Sequence, residues 1–408
     1  MVEPAPGLLE LSDAVEELLA GVAPRSAREE VAVADGLGRV LAADVVSQVE
    51  VPPADNSAMD GYALRAADAG DSGASLPVVQ RIFAGQVGEP LAPNTAARIF
   101  TGAPLPAGAD AVVPQESVSL DGDQVVFSSA VSAGANVRRA GESVRRGDVV
   151  LAAGRRLGPQ DLAIAASVGT ARLGVHGRPR VATFSTGDEL RQPGEALGPG
   201  QIYDANRPML AALIHGLGCE AVDLGRVPDD RARTLEVLRE AGQGVDAIVT
   251  SGGVSVGEAD HVHEVARELG ELSFWKVAIK PGKPVAFGRI GDAGFLGLPG
   301  NPVSAFVTFC LFARPYLLAL AGRRDLAPVR RRIAADFEHR ASPTRREFLR
   351  VRCESDPDGQ EVLRSFDRQG SHVLGSLAWA NGLAEIPAGT TVERGDVVHF
   401  WPFAELLR

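Results

Sequence analysis

Cysteine is scarce in this chain. Cys219, Cys310 and Cys353 stand far apart and odd in number. None is paired at metal-ligand spacing, so a cysteine-held metal and a disulfide scaffold are both excluded, and a reducing compartment is implied. Aromatic residues make up only 5% of the sequence. Basic charge is in deficit, with 41 Lys and Arg against 52 Asp and Glu and a formal net charge of -11. Such a surface is a poor match for wrapping nucleic acid or lying on an anionic membrane. No apolar run reads as long enough to span a bilayer, and the N-terminal MVEPAPGLLELSDAVEELLAG is acidic and periodic, unlike a secretory leader. No GxGxxG follows a strand-like run, and GxxxxGK[ST] is absent, which removes the usual signals of a dinucleotide fold and a P-loop. The expectation is a cytoplasmic protein with no nucleic-acid and no membrane partner.

Turn formers are abundant, with 46 glycines and 27 prolines in 408 residues, enough chain for two to four domains. The clearest pattern spans 178–325. VATFSTG, CEAVDLGRV, DAIVTSGG and FLGLPG read as strands, and NRPMLAALIHGLG, ARTLEVLREAG, HVHEVARELG and NPVSAFVTFCLFARPYLLAL alternate with them as helices. That alternation predicts a mostly parallel sheet covered by helices on both faces. Residues 50–145 carry short β-like runs split by Gly and Pro, such as PVVQRIFAG and QVVFSS, and predict an inserted β-rich domain. Residues 1–49 and 146–177 are assigned together as a discontinuous linking domain, with a helix over 12–21 capped by Ser12 and a second helix opening at Pro159. Residues 326–408 read as a closing β barrel or small sandwich.

The stretch TSGGVSVGEAD, 250–260, follows a short apolar strand and precedes a helical period. It therefore sits at the carboxyl end of a strand, where open α/β sheets hold ligands. Ser251, Gly252, Gly253 and Ser255 offer hydroxyls and closely approaching backbone N–H groups, either as an anion cradle or as a plain tight turn. FWKVAIKPGKP crowds Lys276, Lys280 and Lys283 beside a Pro-Gly turn, either a solvated rim or a match for phosphate and oxyanions. In an extended chain the even separation of Lys276 and Lys280 puts them on one side. The loops STGDE at 185–189, GLPGNPVS at 297–304 and DNSAMDGY at 55–62 could complete a pocket. Asp60, Asp188, Glu189, Asp229, Asp230, Glu258 and Asp260 supply hard oxygen donors suited to Mg2+; each alone is better explained as a cap or a solvated loop residue, and their clustering across strand ends is what favours the ligand reading. His261 and His263 read as surface or packing residues, and Arg138 and Arg139 as either an anion contact or a hairpin edge.

Taken together, PPADNSAMDGYAL, FTGAPLPAGADAVV, VATFSTGDEL, IYDANRPML, TSGGVSVGEAD, FWKVAIKPGKP and GLPGNPVSA resemble the MoeA and gephyrin E-domain family of molybdopterin molybdenumtransferases, over about residues 8–405. The resemblance implies that 178–325 binds adenylylated molybdopterin, that molybdate is inserted with release of AMP, and that Mg2+ assists. It implies a homodimer with each cleft shared between one copy's α/β domain and the other's β-rich domain. Transient contact with the upstream adenylyltransferase and with molybdoenzyme acceptors is also expected. The residues it marks as catalytic are Asp60, Glu189, Asp229, Asp260, Lys276 and Lys280, of which Asp60, Asp229 and Asp260 would hold metal. Thr101, Ser371, Pro299 and Pro302 join the substrate-binding set with the glycine-serine loop and the two lysines. The family's Gly-Glu-Asp is Gly141-Glu142-Ser143 here, so a carboxylate is missing. Either that acid is dispensable, or Glu142 replaces it, or activity or metal preference has changed, for example toward tungstate. An ATP-using molybdopterin adenylyltransferase and a non-catalytic scaffold are the rival readings; the regions flanking the α/β domain favour the transferase.

Overall fold

The computed structural model describes residues 7–24, 27–70, 74–253 and 261–408. Its central sheet has six strands in the order Glu220–Val227, Arg180–Thr186, Ala247–Ser251, Ala293–Leu298, Pro284–Ile290, Gly270–Lys276. The first four are parallel, and Pro284–Ile290 alone runs against its two neighbours. The inner strands Arg180–Thr186, Ala247–Ser251 and Ala293–Leu298 are buried almost throughout because both faces are covered. Val181, Val249 and Leu296 join one core with Leu210 and Ile214 of helix Asn206–Gly216 and with Val303 and Val307 of the chain's longest helix. Ala182, Phe184, Ile248 and Phe295 point the other way, onto Leu238 of helix Arg231–Gly244 and Val265 of helix His261–Leu269. The mostly parallel α/β sheet read from the sequence is therefore present.

That longest helix, Pro302–Leu320, has a mean hydropathy of 1.7 over an 18-residue window, so by length and composition it could cross a bilayer, contrary to the reading that no apolar run is long enough. It is instead 94% buried within the protein. The sheet covers one side, Leu11, Ala14 and Leu18 another, and Phe348, Leu383 and Trp401 of the C-terminal region a third. A π-helical turn at Phe309–Ala313 interrupts it just before Pro315. Arg314, only 3% exposed, donates to the carbonyls of Leu326 (2.7 Å) and Leu406 (3.0 Å).

The expected β-rich insertion is a second six-stranded sheet, ordered Ala111–Pro114, Gly61–Leu64, Ala96–Ile99, Ser75–Ile82, Gln124–Phe127, Val118–Asp121. Arg28–Ala32 pairs with Arg172–His176 and Val45–Val46 with Val149–Leu151, around Leu41, Leu151, Leu157 and Val175. Helix Pro159–Ser167 opens at Pro159, with Asp161 accepting from the Gly158 N–H at 2.8 Å. Helix Leu11–Leu19, grouped with this unit in the sequence reading, packs instead on the α/β core because Leu11, Ala14 and Leu18 face that way. Ser12 is inside the helix and bonds Asp13, so it is not the cap.

The C-terminal strands Arg346–Ser355, Glu361–Ser365, Arg331–Ala335, Val397–Pro402 and Gly382–Ile386 close on themselves through the pairing of the last with the first, forming a barrel. Glu347 lies on the strand that closes it, 2% exposed. Burial raises its pKa, but His339 Nε2 at 2.9 Å, the Ser342 N–H at 2.8 Å and the Lys280 ammonium at 3.1 Å together outweigh that and hold the carboxyl at about 2, below its ordinary 4.5. A carboxyl depressed by folding stabilises the fold above its unfolded pKa and loses that contribution as pH falls through the folded value. Acid titration of the wild type should therefore lose stability more steeply between pH 4.5 and about 2 than Glu347→Gln does. Equal slopes would show that the carboxylate is not held by folding.

Candidate active site

The carboxyl ends of the parallel strands open into a cleft of about 730 Å³, bordered by Thr186, Glu189, Asp229, Ser251, Gly252 and Pro302 among others. Its floor depends on glycine. After Ser251 the chain turns through Gly252 (φ 85°) and Gly253 (φ 69°), a backbone region costly for residues with a Cβ. A Cβ on Gly253 would lie 2.8 Å from the Val262 side chain, so only glycine lets the loop pass this close to helix His261–Leu269. The Gly252 N–H donates to Leu298 O at 2.9 Å, and Asn206 Nδ2 donates to Gly300 O at 2.7 Å, which ties the two glycine loops to the sheet and to each other's neighbourhood. Ser251 is 4% exposed and lines the cleft, and among the described residues its hydroxyl has no hydrogen-bond partner. A buried hydroxyl left in that state costs stability, so it marks a place where a ligand atom would be welcome.

Asp229 is exposed at the rim, with Oδ1 accepting from Thr186 Oγ1 at 2.6 Å and Oδ2 from the Asp188 N–H at 3.2 Å. These bonds fix the carboxylate's direction and leave lone pairs facing the cleft. Glu189 lies at the same rim. Sequence reasoning missed the buried Asp204 beneath them. It accepts from Ser185 Oγ, from the Arg207 N–H at 3.1 Å and from Arg207 Nε at 3.2 Å, while Arg207 also reaches Asp223 at 2.7 Å. The available signal was an Asp just before a helical period, the usual place of a cap.

The remaining candidates lie elsewhere. Asp60 accepts from the backbone N–H and the hydroxyl of Thr101, at 2.8 and 2.7 Å, and those bonds, backbone first, hold its carboxyl below the ordinary range. Thr101 follows a layered stack: the Arg98 guanidinium lies over Tyr62 (5.1 Å) and Phe100 (4.7 Å), and Phe83 stacks on Phe100 at 4.5 Å. Asp60 directly precedes strand Gly61–Leu64 and Thr101 follows strand Ala96–Ile99 of the inserted sheet, and neither is among the cleft's described lining. Lys276, Lys280, Pro299 and Ser371 are likewise not in that lining, although Ser371 O accepts from the Val303 N–H at 3.1 Å and its neighbour His372 borders the cleft. The two lysines do not share one extended strand: Lys276 ends a strand of the α/β sheet, and Ile279–Lys280 pairs with the barrel. Ser255 and Asp260 lie outside the described residues. Arg139 pairs with Asp55 at 2.6 Å, and Glu142 accepts from the Arg139 N–H at 2.8 Å, so the carboxylate next to Ser143 is engaged in its own turn.

Among the described residues no three His, Cys, Asp or Glu side chains gather as a ready-made metal cage. The cleft lining includes the imidazoles of His261 and His372, while Asp229 and Glu189 offer carboxylate oxygens at the rim. That pair of carboxylates fits Mg2+, which is commonly held by one or two carboxylates together with substrate phosphates and water.

Models of the MoeA N-terminal region (domain I and II), a probable molybdopterin binding domain and the MoeA C-terminal region (domain IV) match residues 9–169, 182–319 and 332–403. A Haemophilus influenzae protein named molybdopterin molybdenumtransferase is 40% identical over 377 residues, covering 91% of this chain and 93% of the relative. A Mycobacterium tuberculosis protein named molybdopterin molybdenumtransferase 2 is 39% identical, covering 89% and 92%. A crystal structure of the molybdopterin biosynthesis moeA protein from Pyrococcus horikoshii superposes with a TM-score of 0.85 at 30% identity, covering 97% of this chain and 100% of that one.

The two halves of the glycine-serine loop should separate on mutation. Gly253→Ala should destabilise the fold by roughly 1–3 kcal/mol, from the strained φ and the contact with Val262. Ser251→Ala should leave thermal stability unchanged or slightly raised, since it removes an unpaired buried hydroxyl. A sharp fall in the melting temperature of Ser251→Ala would instead reveal a structural partner for that hydroxyl.

Proposed function

The chain belongs to the MoeA family, whose curated members carry the name molybdopterin molybdenumtransferase, and from that premise we propose that its cleft inserts molybdate into adenylylated molybdopterin with release of AMP. The observation that carries the reading is the strand-end cleft itself, where the unpartnered Ser251 hydroxyl and two glycine turns meet carboxylates held open at the rim. Glycine N–H groups and the Ser251 hydroxyl orient phosphate and pterin oxygens without a side chain in the way. Thr186 and the Asp188 N–H keep Asp229 aimed at the rim. Lys276 and Lys280 balance the charge of molybdate and of the pyrophosphate link. Asp229 and Asp260, together with Asp60, would hold Mg2+, which would supply electrostatic stabilisation of phosphate oxygens. No side-chain nucleophile is needed, consistent with the burial that pushes the Cys219 and Cys310 thiols up to about 12.

Asp60 and Thr101 lie in loops of the inserted β-rich domain, outside the lining of the cleft, and this supports a homodimer in which a second copy brings them to it. We place the enzyme in the cytoplasm, receiving substrate from the adenylyltransferase upstream and passing cofactor to molybdoenzyme acceptors. Purified protein given adenylylated molybdopterin, molybdate and Mg2+ should release AMP and yield cofactor that activates an apo-molybdoenzyme. ATP-dependent adenylylation of free molybdopterin without AMP release would favour the adenylyltransferase reading instead.

The shared cleft has its own test. Asp60→Ala and Asp260→Ala homodimers should each be nearly inactive. After subunit exchange about half the dimers are mixed and one cleft in each mixed dimer is intact, so activity should recover to about a quarter of wild type. No recovery, with mixed dimers demonstrated by mass, would sink the shared cleft.

A further inference from the structure

We propose that Glu347 is a positioning residue for Lys280: the buried carboxylate of the C-terminal barrel fixes where the lysine ammonium meets the anionic groups of the substrate. The proposal rests on the reading of Lys280 as an anion-binding group. The backbone brings the two together first. Ile279–Lys280 lies parallel to the barrel strand, with Lys280 opposite Glu347, and the Arg346 N–H donates to Ala278 O at 2.8 Å. The Lys280 ammonium then reaches Glu347 Oε1 at 3.1 Å.

The pair is asymmetric, and that decides which group anchors the other. The Glu347 side chain is 2% exposed and that of Lys280 is 45% exposed. Glu347 is held independently of the lysine, since Oε1 also accepts from the Ser342 N–H and Oε2 lies 2.9 Å from His339 Nε2. Two other charges lie nearby: Arg346 pairs with Glu385, and Arg350, buried on the same strand, bonds Ser376 and the carbonyl of Phe348 and feels the Glu347 charge without a direct hydrogen bond to it. The carboxylate is thus a fixed post. An ammonium has three donors and Glu347 takes one, so the remaining donors on the open side are free to meet phosphate or molybdate oxygens. Among the described residues Lys276 has no such carboxylate, which makes Lys280 the lysine whose place is built into the fold.

The test compares Glu347→Gln, Lys280→Ala and the double variant in the full-length protein, with adenylylated molybdopterin and Mg2+ at varied molybdate. Glu347→Gln keeps an acceptor of the same shape and removes the charge. It should raise the KM for molybdate roughly tenfold with a smaller change in kcat, because the ammonium is no longer held in place. Adding it to Lys280→Ala should cost little more than Lys280→Ala alone. Glu347→Asp, which keeps the charge on a shorter arm, should recover most of the wild-type KM, and it carries the test if the Gln variant does not fold. A wild-type KM in Glu347→Gln, or full additivity in the double variant, overturns the proposal and leaves Glu347 as a strut of the barrel. Wild-type activity in Lys280→Ala would overturn the role of Lys280 itself, a different outcome from failure of the Glu347 link alone.

Discussion

The molecule is organised by the need to bury one apolar helix on every side. Pro302–Leu320 carries too much hydrophobic surface for a single sheet to cover, so the sheet, the N-terminal helix and the barrel each supply part of its coat. One continuous core therefore joins segments that are distant in the sequence, from Leu11 to Leu406. The arrangement has a chemical result. The amino end of that helix faces the cleft through Asn301 and Pro302, and the barrel, drawn against its flank, brings Ser371 and His372 to the same corner.

Within that frame the division of labour is physical. Rigid parallel strands end together, and glycines let the following loops crowd against one another without side chains between them. Polar side chains near these ends are mostly satisfied by one another, as Asp204 is by Ser185 and Arg207. Ser251 is the exception among the buried side chains of the described cleft lining, and its exposed neighbours include carboxylates. The surface thus has an overall negative charge but a local mixture of signs, suited to a polyanionic ligand only where cations and N–H groups converge.

The α/β sheet was readable because it obeys two strong periods. Val181, Val249 and Leu296 alternate with Ala182, Ile248 and Phe295, and the helices between repeat near 3.6 residues. The loops 185–189, 250–253 and 297–304 were readable as strand ends for the same reason. The placement of Lys276 and Lys280 was not, since Val277 and Ala278 carry the chain from one sheet to another within two residues and no local pattern announces such a change. Asp204 and Glu347 escaped because their roles come from partners far along the chain or hidden by folding. Helix Leu11–Leu19 was legible as a helix, but an apolar stripe does not say which core it faces.

The wide turn at Phe309–Ala313 sets a limit on how this sequence can vary. It accommodates Pro315, which has no N–H to give to the preceding turn, and it sets the rotation of the helix's second half relative to its first. One half borders the cleft while the other holds Arg314 against the carbonyls of Leu326 and Leu406. Removing a single residue there would swing the second half by about 100° and face the guanidinium toward apolar side chains. Length in this helix is therefore counted in whole turns: insertions and deletions that surface loops absorb freely would here dislocate the barrel from the cleft.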